Sequence, residues 1–412
     1  MILFLIDLFT PVLLGLVYIV LIDSDTAFNT ALALFFLYGL IVVIISYIRN
    51  FYNNYFSINF SEKLKISFIT SISAIFFQLV IISYFSISIN IFLFLTWMLI
   101  PIVILSIRYF IKIKYTNETK IYIIGTLYKF NSHEIVTLTK KGFIVFFFDT
   151  ITDMLASKKY KDNSMVVINI NQNINLITSD INNLRQNNKC ISLATFMEDY
   201  LRKVYITENK LIIDLDSYDR LSYLLKRIID FSVSFILIPI LIIVIIYMFL
   251  QKLRGGLNES ILYSQNRYGI NKKIFPLIKI RTMYENSDKK GNTTKNDNRV
   301  YPFARVLRKY RLDELPQIMN IFLGKMHLVG PRAEWVKLSD NYYKNIKNYS
   351  FRHIVKPGIT GWAQIMYPYG EDENDSRQKL MYELYYIKNW TIWLELEICL
   401  KTMFVVLDKR GF

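Results

Sequence analysis

Cysteine and histidine are almost missing from this chain of 412 residues. Its two cysteines, Cys190 and Cys399, lie far apart and without metal-ligand spacing, which excludes a disulfide framework and a zinc site. The three histidines, His133, His327 and His353, are equally scattered and read as structural or surface residues. Acidic residues are in deficit: 33 Asp+Glu face 49 Lys+Arg, a net charge of +16. Such a balance suits polyanions, whether nucleic acid, anionic lipid or phosphorylated substrates. No helix-turn-helix or base-stacking motif accompanies the charge, so a membrane-tethered nucleic-acid binder rests on net charge alone. The opening "MILFLIDLFTPVLLGLVYIVLID" lacks a basic n-region and a small-residue cleavage site. It reads as a first spanning helix rather than a signal peptide.

Apolar residues, by contrast, make up 53% of the chain. Four apolar segments of spanning length, about 20 residues each, run from Ile2 to Ile22, Ala27 to Ile48, Leu64 to Ile87 and Ile89 to Ile111. The links "DSDT" and "SISIN" carry no Lys or Arg, whereas "RNFYNNYFSINFSEKLK" and the exit "RYFIKIKY" carry several. The positive-inside rule places the latter two in the cytoplasm. The expected fold begins with a four-helix transmembrane bundle over residues 1–115.

Residues 118–216 change pattern. "KIYIIGT", "GFIVFFFDT", "SMVVINI" and "CISLA" read as short buried strands between polar stretches of helical length, which argues a small α/β, Rossmann-like middle domain. Only Gly125 follows its first strand, so the Gly-x-Gly-x-x-Gly loop that brings backbone close to a phosphate is missing. A structural or regulatory domain is expected there rather than a cofactor site. Residues 222–254 hold a second long apolar run, "FSVSFILIPILIIVIIYMFL". Lys226 and Arg227 precede it, Lys252 and Arg254 follow it, and Pro239 sits near its middle. Basic flanks on both sides oppose crossing, and a helix broken at Pro239 re-enters the face it left; the alternative is a kinked span. Residues 255–412 are polar and basic enough for a soluble, mainly α-helical domain. Its aromatic tail "YELYYIKNWTIWLELEICLKTMFVVLDKRGF" suits an interfacial helix or one packed on the soluble core.

The chemistry-bearing residues cluster in that last third. "RKYRLDELPQ" sets Arg308 and Arg311 ahead of adjacent carboxylates, Asp313 and Glu314, followed by Pro316. Taken alone, this is an ordinary helix start, with acidic residues and proline in the first turn. Around it stand "SQNRYG", "KIRTM", "HLVGPR" and "KPGITGWAQI". Arginine forks suit phosphate, and a carboxylate beside phosphates can attack phosphorus or hold Mg²⁺. Together the clusters suggest a diphosphate site centred on a carboxylate pair.

Taken in order, "KRIID", the Pro239 helix, Arg267 with Gly269, "KIRTM", "LRKYRLDELPQIMN", "GKMHLVGPR" and "KPGITGWAQ" resemble the motifs of the bacterial sugar transferases, the polyprenyl-phosphate hexose-1-phosphate transferases. The four-span start resembles their long form. Ile280, Tyr301, Ala304, Lys325, His327 and Ala333 depart from the common pattern, and none removes a chemical group that the family uses. The resemblance implies transfer of a sugar-1-phosphate from a UDP-sugar to undecaprenyl phosphate, releasing UMP, as the first step of capsule, exopolysaccharide or O-antigen assembly. It implies Asp313 as nucleophile of a covalent aspartyl-phosphosugar intermediate and Glu314 as the Mg²⁺-holding partner. Arg308 and Arg332 fall on phosphate-contacting positions, Lys279 and Arg281 on the basic pair near the donor. Lys226, Asp230 and Pro239 fall on the re-entrant helix. It further implies the bacterial inner membrane, a multi-pass topology and a cytoplasmic catalytic domain, with no nucleic acid; a homodimer is compatible with it. A non-catalytic scaffold of polysaccharide assembly is the alternative, and an intact carboxylate pair amid arginines argues against it.

Overall fold

The computed structural model describes residues 2–21, 28–48, 60–85, 96–97, 99–104, 107, 119–161, 164–169, 184–206, 220–257, 259–284, 298–367 and 372–407. The chain forms two compact units, Met1–Ile121 with Ile135–Phe146, and Tyr122–Glu134 with Phe147–Phe412.

In the first unit, helices α1 (Ile2–Leu21), α2 (Phe28–Ile48) and α3 (Phe60–Phe85) bury Tyr18, Leu34, Phe35, Tyr38, Val42 and Ala74 in one cluster with Trp97, Ile100 and Ile104. Their outward faces are apolar too: Leu13, Val17, Phe76 and Phe77 are exposed. A helix apolar all round is built for lipid or for the inside of a protein. Among the described residues two stretches, Glu62–Val80 and Arg220–Leu253, are long and apolar enough to cross a membrane. The expected span from Ile89 to Ile111 lies mostly outside the described residues.

The four expected middle strands all form. β1 (Thr119–Ile124), β2 (Phe143–Phe148), β3 (Met165–Ile168) and β4 (Lys189–Ser192) make one sheet in the order β2-β1-β3-β4, with β3 and β4 parallel. Helices α4 (Ser132–Lys140) and α5 (Ile151–Ala156) lie between strands in sequence. After β4, α6 (Leu193–Phe196) widens into a π-turn through Leu201 and stops at Arg202, whose φ of 55° ends the helix in the left-handed region.

Helix α7 (Arg220–Leu253) runs for 34 residues straight through Pro239. The break expected there is absent: an interior proline removes one backbone donor, which bends a helix more readily than it ends one. Lys226, Asp230, Ser234, Leu241, Val244 and Met248 are buried along one stripe. Near its start, Arg227 donates to the Ile321 carbonyl and Phe231 stacks on Phe322. Toward its end, Val244 and Met248 share a core with Ile280, Tyr301, Ala304 and Leu307. The opposite face exposes Phe235, Ile236, Ile243, Ile246 and Phe249. Burying each such side chain is worth roughly 1.5–3 kcal/mol, so this face is not built for water.

The remainder is helical with two small sheets that the sequence reading does not anticipate. β5 (Leu262–Tyr268) and β6 (Ile274–Ile280) form an antiparallel hairpin. Then come α8 (Arg305–Lys309), a 3-10 turn over Leu312–Glu314, α9 (Gln317–Phe322), β7 (His327–Val329), α10 (Val336–Asn345), β8 (Gly358–Thr360), α11 (Trp362–Met366), α12 (Glu373–Lys388) and α13 (Ile392–Leu407). β7 and β8 pair in parallel. The start of the aromatic tail is core, with Leu380 through Ile387 of α12 all buried, whereas Leu396, Leu400 and Met403 of α13 are exposed.

Candidate active site

The carboxylate pair sits on the 3-10 turn between α8 and α9. Arg311, at φ 55°, turns the chain out of α8 so that Leu312–Glu314 can form it, and Pro316 opens α9. The helix-start reading is therefore correct as local structure, yet neither acidic side chain serves as a cap. Glu314 Oε1 accepts from Lys279 Nζ at 2.8 Å and from Arg332 Nη2 at 3.2 Å. Lys279 comes from β6, opposite Tyr263 in the hairpin, and Arg332 from the turn after β7. Asp313 is half-buried, and its carboxylate accepts from its own backbone amide.

The two acids consequently differ in charge state. Burial opposes ionisation of Glu314, but Lys279, Arg332 and Arg311 outweigh it and hold the carboxyl well below the usual range. For Asp313, burial and then the neighbouring Glu314 charge push the carboxyl up to about 6, with Lys279 and Arg308 pulling against them. Glu314 in turn raises the Arg332 guanidinium. The turn thus presents one fixed anion and one carboxyl that titrates at about 6.

Lys279, Arg332, Asp313 and Glu314 are brought together. Arg308 lies near Asp313 and reaches the Thr282 hydroxyl at 3.4 Å. Arg281 turns aside: its guanidinium donates to the Ser260 carbonyl at 3.0 Å and lies 5.5 Å from the Tyr263 ring. Arg267 contributes to the field around Glu314 while bonding the Ala333 carbonyl at 3.0 Å. Lys226 and Asp230 do not reach the carboxylates. Lys226 Nζ donates to the Val329 carbonyl at 2.8 Å and pairs with Glu395, both groups fully buried. Asp230 accepts from the Leu328 amide at 2.8 Å and contacts His327 Nδ1 at 2.5 Å. Both therefore tie α7 to β7, one turn of chain before Arg332. Pro239 is exposed and distant in sequence from all of these contacts.

"KPGITG" plays a structural part here. Gly330 donates to the Thr360 carbonyl and Gly358 to the Pro331 carbonyl, both at 2.9 Å. A Cβ on Gly358 would lie 2.1 Å from the Gly330 nitrogen, so only glycine lets these two segments touch. The sequence reading missed Arg352 and Glu383. Arg352 donates to the Arg332 carbonyl at 2.8 Å and to Glu383 at 2.6 Å, and Glu383 accepts from the Arg332 amide at 3.2 Å. Charges buried among Leu, Tyr and Ile give no periodic signal; a Glu inside an apolar run was the available clue.

A magnesium ion suits hard oxygen ligands and binds through one or two carboxylates completed by phosphate. The residues fit that pattern: both bases take Glu314 through Oε1, and a second carboxylate, Asp313, stands next to it. No group of three or more His, Cys, Asp or Glu that could hold a metal exists among the described residues.

Residues 221–409 match the family described as bacterial sugar transferase. Over 183 residues the chain is 40% identical to the UDP-glucose:undecaprenyl-phosphate glucose-1-phosphate transferase of Klebsiella pneumoniae, covering 43% of this chain and 39% of that protein. Over 153 residues it is 40% identical to the UDP-N-acetylgalactosamine-undecaprenyl-phosphate N-acetylgalactosaminephosphotransferase of Aeromonas hydrophila, covering 37% and 36%. The chain thus spans well under half the length of these curated relatives. An uncharacterized sugar transferase of Bacillus subtilis (strain 168), EpsL, is 34% identical over 188 residues, which is 46% of this chain and 90% of EpsL.

Proposed function

We propose, for a chain that belongs to the bacterial sugar transferase family, that it transfers a sugar-1-phosphate from a UDP-sugar to undecaprenyl phosphate and releases UMP. The observation that carries this reading is the division within the carboxylate pair: Glu314 held between Lys279 and Arg332, Asp313 beside it and held only by its own amide among the contacts of the described residues. The ionised Asp313 oxygen attacks the sugar-bearing phosphorus, and the bridging phosphoanhydride bond breaks, with UMP taking the bridging oxygen. A phosphate oxygen of the lipid then attacks the same phosphorus and the acyl-phosphate bond breaks, returning the carboxylate. Arg332 and Arg308 would meet the diphosphate charge, worth most where water is scarce. Glu314 would hold Mg²⁺ through the oxygen that the bases leave open, and the ion would offset charge on the phosphate oxygens.

The same reading puts the reaction at the cytoplasmic face of the bacterial inner membrane, anchored by the apolar helices of the first unit, at the start of capsule, exopolysaccharide or O-antigen assembly. The contacts of α7 argue for an unbroken helix lying along one membrane face over one that crosses. From Lys226 to Met248 the helix covers roughly 33 Å at 1.5 Å per residue, about the hydrocarbon thickness of a bilayer. Residues of one compact unit hold it at both of those points, so that unit would need to stand on both sides of a helix that crossed.

UMP release, measured with polyprenyl phosphate and a panel of UDP-sugars, tests the reading. Turnover is expected with at least one donor, to stop with excess chelator and to return with Mg²⁺. A folded, membrane-embedded protein that releases no UMP from any donor is a scaffold rather than a transferase.

A further inference from the structure

The α/β sheet reverses its strand order between β1 and β3. Open α/β sheets receive ligands outside the carboxyl ends of their strands at such a point. Here the chain's own groups fill it. Asn169, next after β3, donates to the Gly125 and Tyr128 carbonyls at 3.0 and 2.9 Å and accepts from the Tyr128 amide at 2.9 Å. Its carbonyl takes the Leu127 amide at 3.1 Å. The Gly125, Leu127 and Tyr128 amides, main-chain donors that would greet a phosphate, are already taken.

Beyond that loop lies the rest of the second unit instead of an open crevice. Lys203 and Glu134, both fully buried, form an ion pair. Lys203 also donates to the Tyr128 hydroxyl and to Gln378 of α12, each at 2.9 Å. Gln378 donates back to the Tyr128 oxygen at 3.0 Å, and that hydroxyl donates to Glu134 at 2.6 Å. Next to Lys203, the left-handed Arg202 pairs with Glu397 at 2.7 Å, and its guanidinium lies 4.2 Å from the Trp362 ring. The Trp362 indole donates to the Arg202 carbonyl, and the Val204 amide to the Met381 carbonyl, both at 2.9 Å. A lysine and glutamate taken wholly out of water lose several kcal/mol of hydration each, so they persist only where geometry repays them.

Helix α12 is what this junction grips, and α12 also carries Glu383. That residue holds the Arg332 amide and orients Arg352, which holds the Arg332 carbonyl. Arg332 in turn holds Glu314. We propose that the α/β region is a brace for the carboxylate site rather than a ligand-binding module, and that Lys203 is a positioning residue acting through α12 on the main chain of Arg332. The catalytic half of this proposal rests on the transferase reading; the mechanical half does not.

The full chain in a membrane mimetic tests it with two readouts, amide hydrogen exchange of the peptide spanning Leu328–Arg332 and UMP release. Lys203→Met strands Glu134, so Lys203→Met/Glu134→Leu removes the pair together, and Gln378→Leu leaves the pair intact while loosening α12. The brace predicts about tenfold faster exchange at the Arg332 amide, with exchange in the β5–β6 hairpin unchanged. It also predicts a kcat about tenfold lower at a donor KM within twofold of the parent. Adding Glu383→Gln to the pair variant should cost little beyond Glu383→Gln alone, because both act on one strut. Folded variants with parental exchange at Arg332, or with exchange raised equally across the unit, overturn the proposal. A parent protein that releases no UMP removes the transferase reading, while the exchange rates still decide the brace.

Discussion

Asp313 and Glu314 are neighbours on one short turn and differ in what surrounds them. Two bases neutralise Glu314, whereas Asp313 has its like-charged neighbour and partial burial to contend with. In the proposed mechanism the anion is the nucleophile, so protonation should remove activity. Since the Asp313 carboxyl is pushed up to about 6, the rate of its reaction with donor should fall about tenfold per pH unit below that value. Measuring adduct formation with donor alone avoids titration of the lipid phosphate. Mass spectrometry of the quenched protein should find one sugar phosphate on the peptide containing Asp313. Asp313→Asn should abolish the adduct and cut transfer at least about 100-fold while the protein stays folded. A full rate in Asp313→Asn would leave direct attack by the lipid phosphate as the route.

Among the elements, β7 and β8 determine where Arg332 stands. Their parallel pairing brings Gly330 against Gly358, too close for any side chain, and α7 fastens the same strand through Lys226 and Asp230. Gly358→Ala would drive a methyl into the Gly330 backbone and force the strands apart. Overpacking of this kind costs about 1–3 kcal/mol. A lower midpoint of thermal unfolding is expected, together with weaker turnover, because the turn carrying Arg332 must shift. Calorimetry and UMP release on the same preparation check both; unchanged values in both would mean that the strands separate freely.

For the whole molecule, the contacts of α7 with one compact unit at both ends yield a prediction about topology. Lys158 and Lys344 are exposed and lie before and after α7 in sequence. In a chain whose own Cys190 and Cys399 are replaced, Lys158→Cys and Lys344→Cys should both resist a membrane-impermeant thiol reagent in intact cells. Both should label after the membrane is opened. Labelling of one alone in intact cells would show that α7 crosses.

Local chemistry alone determined a good deal. Apolar runs of spanning length and short β-branched or aromatic runs are properties of contiguous residues, so α1, α2, α3 and the middle strands could be read directly from the sequence. The carboxylate turn was legible for the same reason, since Arg311, Asp313, Glu314 and Pro316 are adjacent. Which bases meet Glu314 was decided elsewhere. Lys279 lies within β6 and Arg281 just past its end, and only Lys279 turns to the carboxylates while Arg281 is drawn to Ser260. The Gly330–Gly358 contact and the buried pairs at Lys203, Lys226 and Glu383 join residues tens to hundreds of positions apart. Such contacts leave no period in the chain; they exist only where folding has removed water and closed the distance, and there they hold the reacting groups in place.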